Sequence, residues 1–192
     1  MEIEVGTSEI TLNKEINDLD KFVIEFVNVL DELKIKYVLI AGYISILFGR
    51  ARGTDDIDIF IEPLDMFRFK ELFKTLDKNN FWCINTNDVD DALEYLITKN
   101  AIRVAKKPIY VPNMEIKFAK EDLDFEILDD NIQVKINGNK LKISPIELQI
   151  IFKRTKLGSP KDLEDAMYLE EIFKDKLNQN KIEYYKRAMK NV

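Results

Sequence analysis

The chain has 192 residues, 46% hydrophobic and 33% charged, with a net charge of −6 and no histidine. This composition suits one globular domain with a sizeable core, argues against a protein that coats nucleic acid, and leaves any metal site to oxygen ligands, favouring Mg²⁺ or Mn²⁺ over zinc. Cys83 stands alone, so no intrachain disulfide is possible; no apolar run approaches the roughly 20 residues that span a bilayer, and "MEIEVGTSEITLNKEIND" lacks the basic start and apolar core of a signal peptide, so a cytoplasmic protein without membrane contact is expected.

Residues 16–34 carry Phe22, Val23, Phe26, Val27 and Leu30 at helical spacing. "IKYVLIAG" reads as a buried strand ending in Gly42, "YISILFGR" as a short helix and "DIDIFIEP" as a second strand closed by Pro63. "LDMFRFKELFKTLDK" predicts a helix with Leu64, Phe67, Leu72, Phe73 and Leu76 on its apolar face, and Phe67, Phe69 and Phe73 are expected to be core or partly core. "NFWCINT" is a third strand, and "DVDDALEYLITK" a helix whose first turn is acidic, as the macrodipole favours. Further strand candidates are "AIRVAKK" and "IYVPNMEIKFAK". In "NIQVKINGNKLKISP", Asn137-Gly138 suits a type I′ turn between alternating runs. Three helices follow, near 145–157, 160–175 and 179–190. The order predicts an α/β (α+β) fold with a mixed sheet flanked by helices: a core over 1–144 and C-terminal helices over 145–192 packed on it as one structural domain.

The stretch "RARGTDDIDIFI" carries the chemistry. Alternate side chains of a strand share a face, so Ile57, Ile59 and Ile61 point one way and Asp56 and Asp58 the other, while Asp55 drops out. Adjacent same-face carboxylates repel, and a divalent cation removes that cost. Upstream, Gly42 ends a strand and begins a helix, where free N–H groups and positive dipole suit a phosphate.

"YVLIAGYISILFGRARGTDDIDIFI" resembles the signature of the nucleotidyltransferase superfamily, the fold of DNA polymerase β, and most closely its minimal bacterial and archaeal branch with the AbiEii-type toxins. Arg52, Thr54, Asp56 and Asp58 match the branch in spacing, Gly42-Tyr43 match its loop, and a similarity extends through "ELQIIFKRTKLGSPKDLEDAMYL". The resemblance implies transfer of a nucleoside monophosphate from an NTP to an acceptor hydroxyl of RNA or protein, with two Mg²⁺ (or Mn²⁺) ions on Asp56, Asp58 and a third carboxylate. That third residue is Glu115 in "YVPNMEIKFA", with Asp124 in "EDLDFEI" as the alternative. Ala41, Gly42, Tyr43, Arg52, Thr54, Lys153 and Lys161 are then expected around the nucleotide. It also implies a possible toxin role with a cognate antitoxin. Two departures, Ala41 for the first glycine and Glu115 for aspartate, support a second expectation: a catalytically degenerate member acting as a nucleotide- or partner-binding module.

Toward the C-terminus, Ser159, Pro160 and Asp162 are explained by helix capping. Lys161 opposes the macrodipole and gains from a nearby anion. Lys153 is open to the same phosphate role or to a solvated surface role, and for Arg154 the surface role is expected. "KIEYYKRAMKNV" predicts an amphipathic helix on the core, with RNA contact the alternative.

Overall fold

The computed structural model describes residues 1–6, 9–98 and 100–190. Its strands are β1 (Glu2–Val5), β2 (Glu9–Asn13), β3 (Tyr37–Leu39), β4 (Asp56–Ile61), β5 (Phe81–Cys83), β6 (Ile102–Lys106), β7 (Asn113–Phe118), β8 (Ile132–Ile136) and β9 (Asn139–Ile143). Among the described residues they form one mixed sheet in the order β1-β2-β8-β9-β3-β4-β7-β6-β5. Parallel pairs are β2–β8, β3–β9 and β4–β7, and the other neighbours run antiparallel.

The helices are α1 (Asp18–Glu32), α2 (Gly42–Leu47), α3 (Met66–Lys78), α4 (Val89–Ile97), α5 (Asp122–Asp129), α6 (Ile146–Phe152), α7 (Pro160–Phe173) and α8 (Gln179–Ala188). Side-chain caps begin α1, α3, α4 and α7. Asn17 and Asp20 form a reciprocal capping box on α1, while Asp65, Asp88 and Ser159 accept N–H groups of α3, α4 and α7. Asn137 and Gly138 have φ of 46° and 84°, as the type I′ turn requires. No helix of the described residues is long and apolar enough to cross a membrane.

Two apolar clusters lie on the two faces of the sheet, and the pleat sorts residues between them. Tyr37, Leu39, Ile57, Ile59 and Ile61 join α1, α3 and α4 in the larger cluster. Val38, Ile40 and Phe60, at alternate positions, join α5, α6 and α8 in the smaller. Asp56 and Asp58 share the parity of Phe60, so they face the side of α5, α6 and α8.

Two expectations are corrected here. Phe67 is 72% exposed rather than core, whereas Phe69, expected in the core with it, is fully buried. The two are about 200° apart around a helix, so they cannot share a face, and the stripe continues through Leu72 and Leu76. The N-terminal segment, which carried no expected element, forms β1 and β2. At the other end Tyr185 is buried, as the amphipathic reading expects.

Candidate active site

The carboxylate pair sits at the start of β4, where Ile40 N–H donates to the Asp58 carbonyl and docks the end of β3 against it. Thr54 Oγ1 donates to the Asp56 carbonyl at 2.8 Å, which holds the entry to the strand. The parallel register sets Asp58 directly against Glu115 of β7. Between them lies Lys117, whose Nζ is 2.9 Å from Asp58 and 2.7 Å from Glu115. Arg103, opposite Glu115 on β6, binds its other oxygen at 2.7 Å.

The electrostatics follow from this packing. Burial lifts the Asp58 carboxyl above its ordinary pKa; Lys117 opposes, and the charges of Glu115 and Asp56 push the same way as burial. Burial would lift Glu115 too, but the hydrogen bonds and charges of Lys117 and Arg103 outweigh it and hold that carboxyl low. The Lys117 ammonium is disfavoured by burial, yet Asp58 and Glu115 raise it overall. Asp58 is thus a carboxylate short of positive charge, and an ammonium supplies part of it.

No group of three acidic, cysteine or histidine side chains converges as a ready metal site among the described residues. Asp56 and Asp58 nevertheless fit a hard divalent cation by donor chemistry: oxygen ligands only, half-buried, on one face, and with a cation already on one of them. Glu115 occupies the position in register with Asp58, with Lys117 lying between the two. Asp124, the alternative third carboxylate, stands in the first turn of α5. There its Oδ2 accepts the N–H groups of Lys120 and Glu121, both at 3.0 Å, in a capping role.

Beside the aspartates lies the β3–α2 corner. Ala41 takes φ 59°, ψ −130°, a conformation open to glycine and costly for alanine. It is held there by Gln149 of α6, whose Oε1 accepts the Ala41 N–H at 3.0 Å. Ala41→Gly is therefore expected to stabilise the fold by about 1 kcal/mol, or about 2–4 °C in melting temperature, a shift that thermal denaturation would read. A Cβ built on Gly42 would come within 3.0 Å of Arg52 Nη2, so the missing side chain is what lets the guanidinium lie against this corner. Tyr43 points the other way. Its ring is fully buried and its hydroxyl donates to Asp20 at 2.9 Å, so only its backbone is available to a ligand.

Behind Arg52 is a buried charge cluster. Asp165 of α7 has no exposure, yet it accepts from Arg50, Arg52 and Lys153, the last at 2.8 Å. Lys153 is itself fully buried, in a π-helical turn (Lys153–Leu157) that extends α6 and ends at Gly158 with φ 65°. Burial pulls its ammonium down to about 8; Asp162 opposes this, and the neighbouring Arg52 and Arg50 add to the fall. Glu164 also pairs with Arg50 and Asp162 lies 3.9 Å from Lys153, so three carboxylates match the three cations, and Arg52 is the cation that lies against the Gly42 corner.

Of the two lysines expected near the nucleotide, Lys153 is thus placed inside this cluster. Lys161 is exposed, and its contact with the cluster is through the backbone, its carbonyl accepting from Arg50 Nη1 at 3.3 Å. Arg154 pairs with Glu170 on the surface, as expected. Arg50, Asp165, Lys117, Arg103 and Gln149 were not anticipated. One of them had a readable signal: Asp165 lies on the stripe of α7 that continues through Leu169 and Phe173, where an acid has no reason to be without a buried partner.

A family profile described as "Nucleotidyl transferase of unknown function" matches residues 19–192. No curated protein gives a significant match. Among solved structures, the lincosamide antibiotic adenylyltransferase LnuA, bound to lincomycin, aligns with a TM-score of 0.53 at 14% identity, over 83% of this chain and 99% of that one. The solution structure of the antibiotic-resistance factor ANT(2'')-Ia gives 0.53 at 12% identity, over 91% and 94%. Its crystal structure with adenylyl-2''-tobramycin gives 0.52 at 13%, over 88% and 95%. At these identities the likeness is one of fold.

Proposed function

Because the chain belongs to the nucleotidyl transferase family of unknown function, DUF2204, we propose that it transfers a nucleoside monophosphate from an NTP to an acceptor hydroxyl on the face of β4 and β7 that carries Asp56 and Asp58. The observation that carries this reading is Asp56 and Asp58 side by side on one face, next to a corner where Gly42 makes room for the Arg52 guanidinium. Asp56 and Asp58, with Glu115 in register beside them, would hold magnesium, which supplies charge stabilisation at the phosphoryl oxygens and a more acidic attacking hydroxyl.

The chain's own residues do the rest. Arg52 faces the triphosphate as a planar donor, and backbone N–H groups at Gly42 and Tyr43 are available to phosphate oxygens. Asp165, backed by Lys153, keeps Arg52 and Arg50 in place. Thr54 positions Asp56. The acceptor oxygen forms a bond to the α-phosphorus. The α–β phosphoanhydride bond breaks, its electron pair leaves on pyrophosphate, and the hydroxyl proton is released to water. The toxin expectation rests on the sequence resemblance alone.

The test is Mg²⁺-dependent binding of each NTP to the full chain, then label transfer from α-labelled NTP. Absence of binding by all of them would overturn the reading. A pH dependence is also expected. Lys153 carries its charge below its pKa of about 8 and sheds it above, so the corner loses one of its cations on the alkaline side. ATP affinity should therefore weaken several-fold between about pH 7 and pH 9, and Lys153→Met should be weaker at the lower pH and flat across the range.

A second reading has one specific observation behind it: Lys117 bridges Asp58 and Glu115, with Arg103 on Glu115. A chain that has replaced metal by ammonium would bind nucleotide without transferring it. NTP binding unaffected by Mg²⁺ and no labelled product would favour this reading.

A further inference from the structure

A cavity of about 290 Å³ opens beside the aspartates, between the face of β4 and β7 and helices α5 and α6. Asp58, Lys117 and Ala41 line it, so it is continuous with the site already described. Asp124 and Gln149 also reach it, and the rest of its wall is carbon, to which Ile40, Phe60, Leu123, Ile127, Phe152 and Met189 contribute. Ile40, Phe60, Leu123 and Phe152 are only partly buried although they pack against the smaller apolar cluster. They present apolar surface to a concavity, the usual character of a small-ligand pocket.

We infer that this cavity takes the apolar, ring-sized body of a small hydroxylated acceptor, neutral or cationic, and so presents its hydroxyl beside Asp58. The inference rests on the nucleotidyl transfer proposed above and names its acceptor class. Three features select this occupant over a nucleobase, an RNA or a protein loop.

The first is hydrogen bonding. Gln149 is the amide on the wall that could read a base edge as donor and acceptor together. Its Oε1 accepts the Ala41 N–H at 3.0 Å and its Nε2 donates to Ser144 at 2.6 Å. Asp124 is turned to the start of α5, where one oxygen accepts two backbone N–H groups. A base placed here would meet polar atoms only in Asp58, Lys117 and the second oxygen of Asp124, and its remaining ring nitrogens would be buried against carbon, which is costly.

The second is size. The volume lies at the small end of the range of roughly 300–1,000 Å³ typical of ligand pockets, enough for a fused ring pair and too little for stacked nucleotides or a folded loop. The third is charge. Two carboxylates, Asp58 and Asp124, line the cavity against one ammonium, Lys117. Such a lining repels a phosphate backbone and tolerates or attracts a neutral or cationic molecule.

The experiment uses the full chain and 2-naphthalenemethanol, a neutral ring-sized alcohol, followed by backbone NMR shifts, with ATP titrated separately. Shifts are expected at Phe60, Ile127 and Phe152. Ile127→Trp fills the cavity from inside. Leu157→Trp narrows it from a position that is 44% exposed, so one variant remains if the other fails to fold. Both should weaken the naphthyl probe by about tenfold or more by overfilling the site, while ATP affinity changes by less than about twofold because neither Ile127 nor Leu157 is among the residues assigned to the nucleotide.

Loss of ATP affinity in parallel with the probe, or competition between them, would make the cavity a base pocket and overturn the proposal. So would the same shifts from a hexauridylate or a tyrosine-containing peptide in place of the alcohol, or no shifts at all. Absence of ATP binding by the unaltered chain is a separate outcome. It removes the transfer reading, and with it the acceptor assignment, even if the probe binds.

Discussion

Asp165→Asn should lower stability by about 3–5 kcal/mol, because removing one partner from a buried ion cluster leaves uncompensated charge inside. For a chain of this length that is a fall of about 6–20 °C in melting temperature, read by circular dichroism. Asp165 has no exposure and holds Arg50, Arg52 and Lys153. Glu164→Gln is the control. It removes another carboxylate from Arg50, but one whose side chain is 67% exposed, and it should cost under about 1 kcal/mol. Equal losses in the two variants would contradict the cluster's role. ATP affinity should fall with Asp165→Asn and hold with Glu164→Gln, since only the former frees Arg52 from its position.

Asp58→Asn should abolish transfer while leaving the fold intact. Losing a carboxylate that stabilises the reacting phosphoryl group is worth several kcal/mol at the transition state, hence a fall in rate on the order of 10³-fold. Stability should hardly change. Burial already disfavours the Asp58 charge, and Lys117 keeps Glu115 as its partner when Asp58 becomes neutral. The measurements are label transfer from α-labelled ATP, ATP affinity and a thermal melt. Retained transfer would remove Asp58 from the chemistry. An unaltered chain that binds ATP, transfers nothing and is unaffected in its biological effect by Asp58→Asn would establish the degenerate reading.

Much of this site was legible without coordinates. The strand period of two puts Asp56 and Asp58 on one face opposite Ile57, Ile59 and Ile61, and the structure keeps that division between its two apolar clusters. Caps and turns are local chemistry, so Ser159 and Asn137-Gly138 could be read directly. Phe67 was misread because it and Phe69, both expected in the core, lie on opposite sides of a helix, and only the partner surface decides which is buried; here it is Phe69. The strain at Ala41 was foreshadowed by alanine standing where the resembled pattern has glycine.

The sequence by itself determined the periodicities, the turn and the caps, because these depend on residues a few positions apart. It also determined the carboxylate pair, and with it the kind of chemistry to expect. Tertiary structure alone decided which distant groups meet. The register of β4 on β7 brings Glu115 and Lys117 to Asp58 from nearly sixty residues away. The turn after α6 carries Lys153 inward to Asp165, whose other partners, Arg50 and Arg52, come from the loop before β4. Burial then sets the charge balance, since a lysine that sequence leaves free to be a solvated surface charge becomes, without water, part of a cluster that positions an arginine. The apolar cavity beside Asp58 belongs to the same category. Its walls come from β3, β4, α5, α6 and the segment after α8, and packing of a closed sheet face is what makes them adjacent.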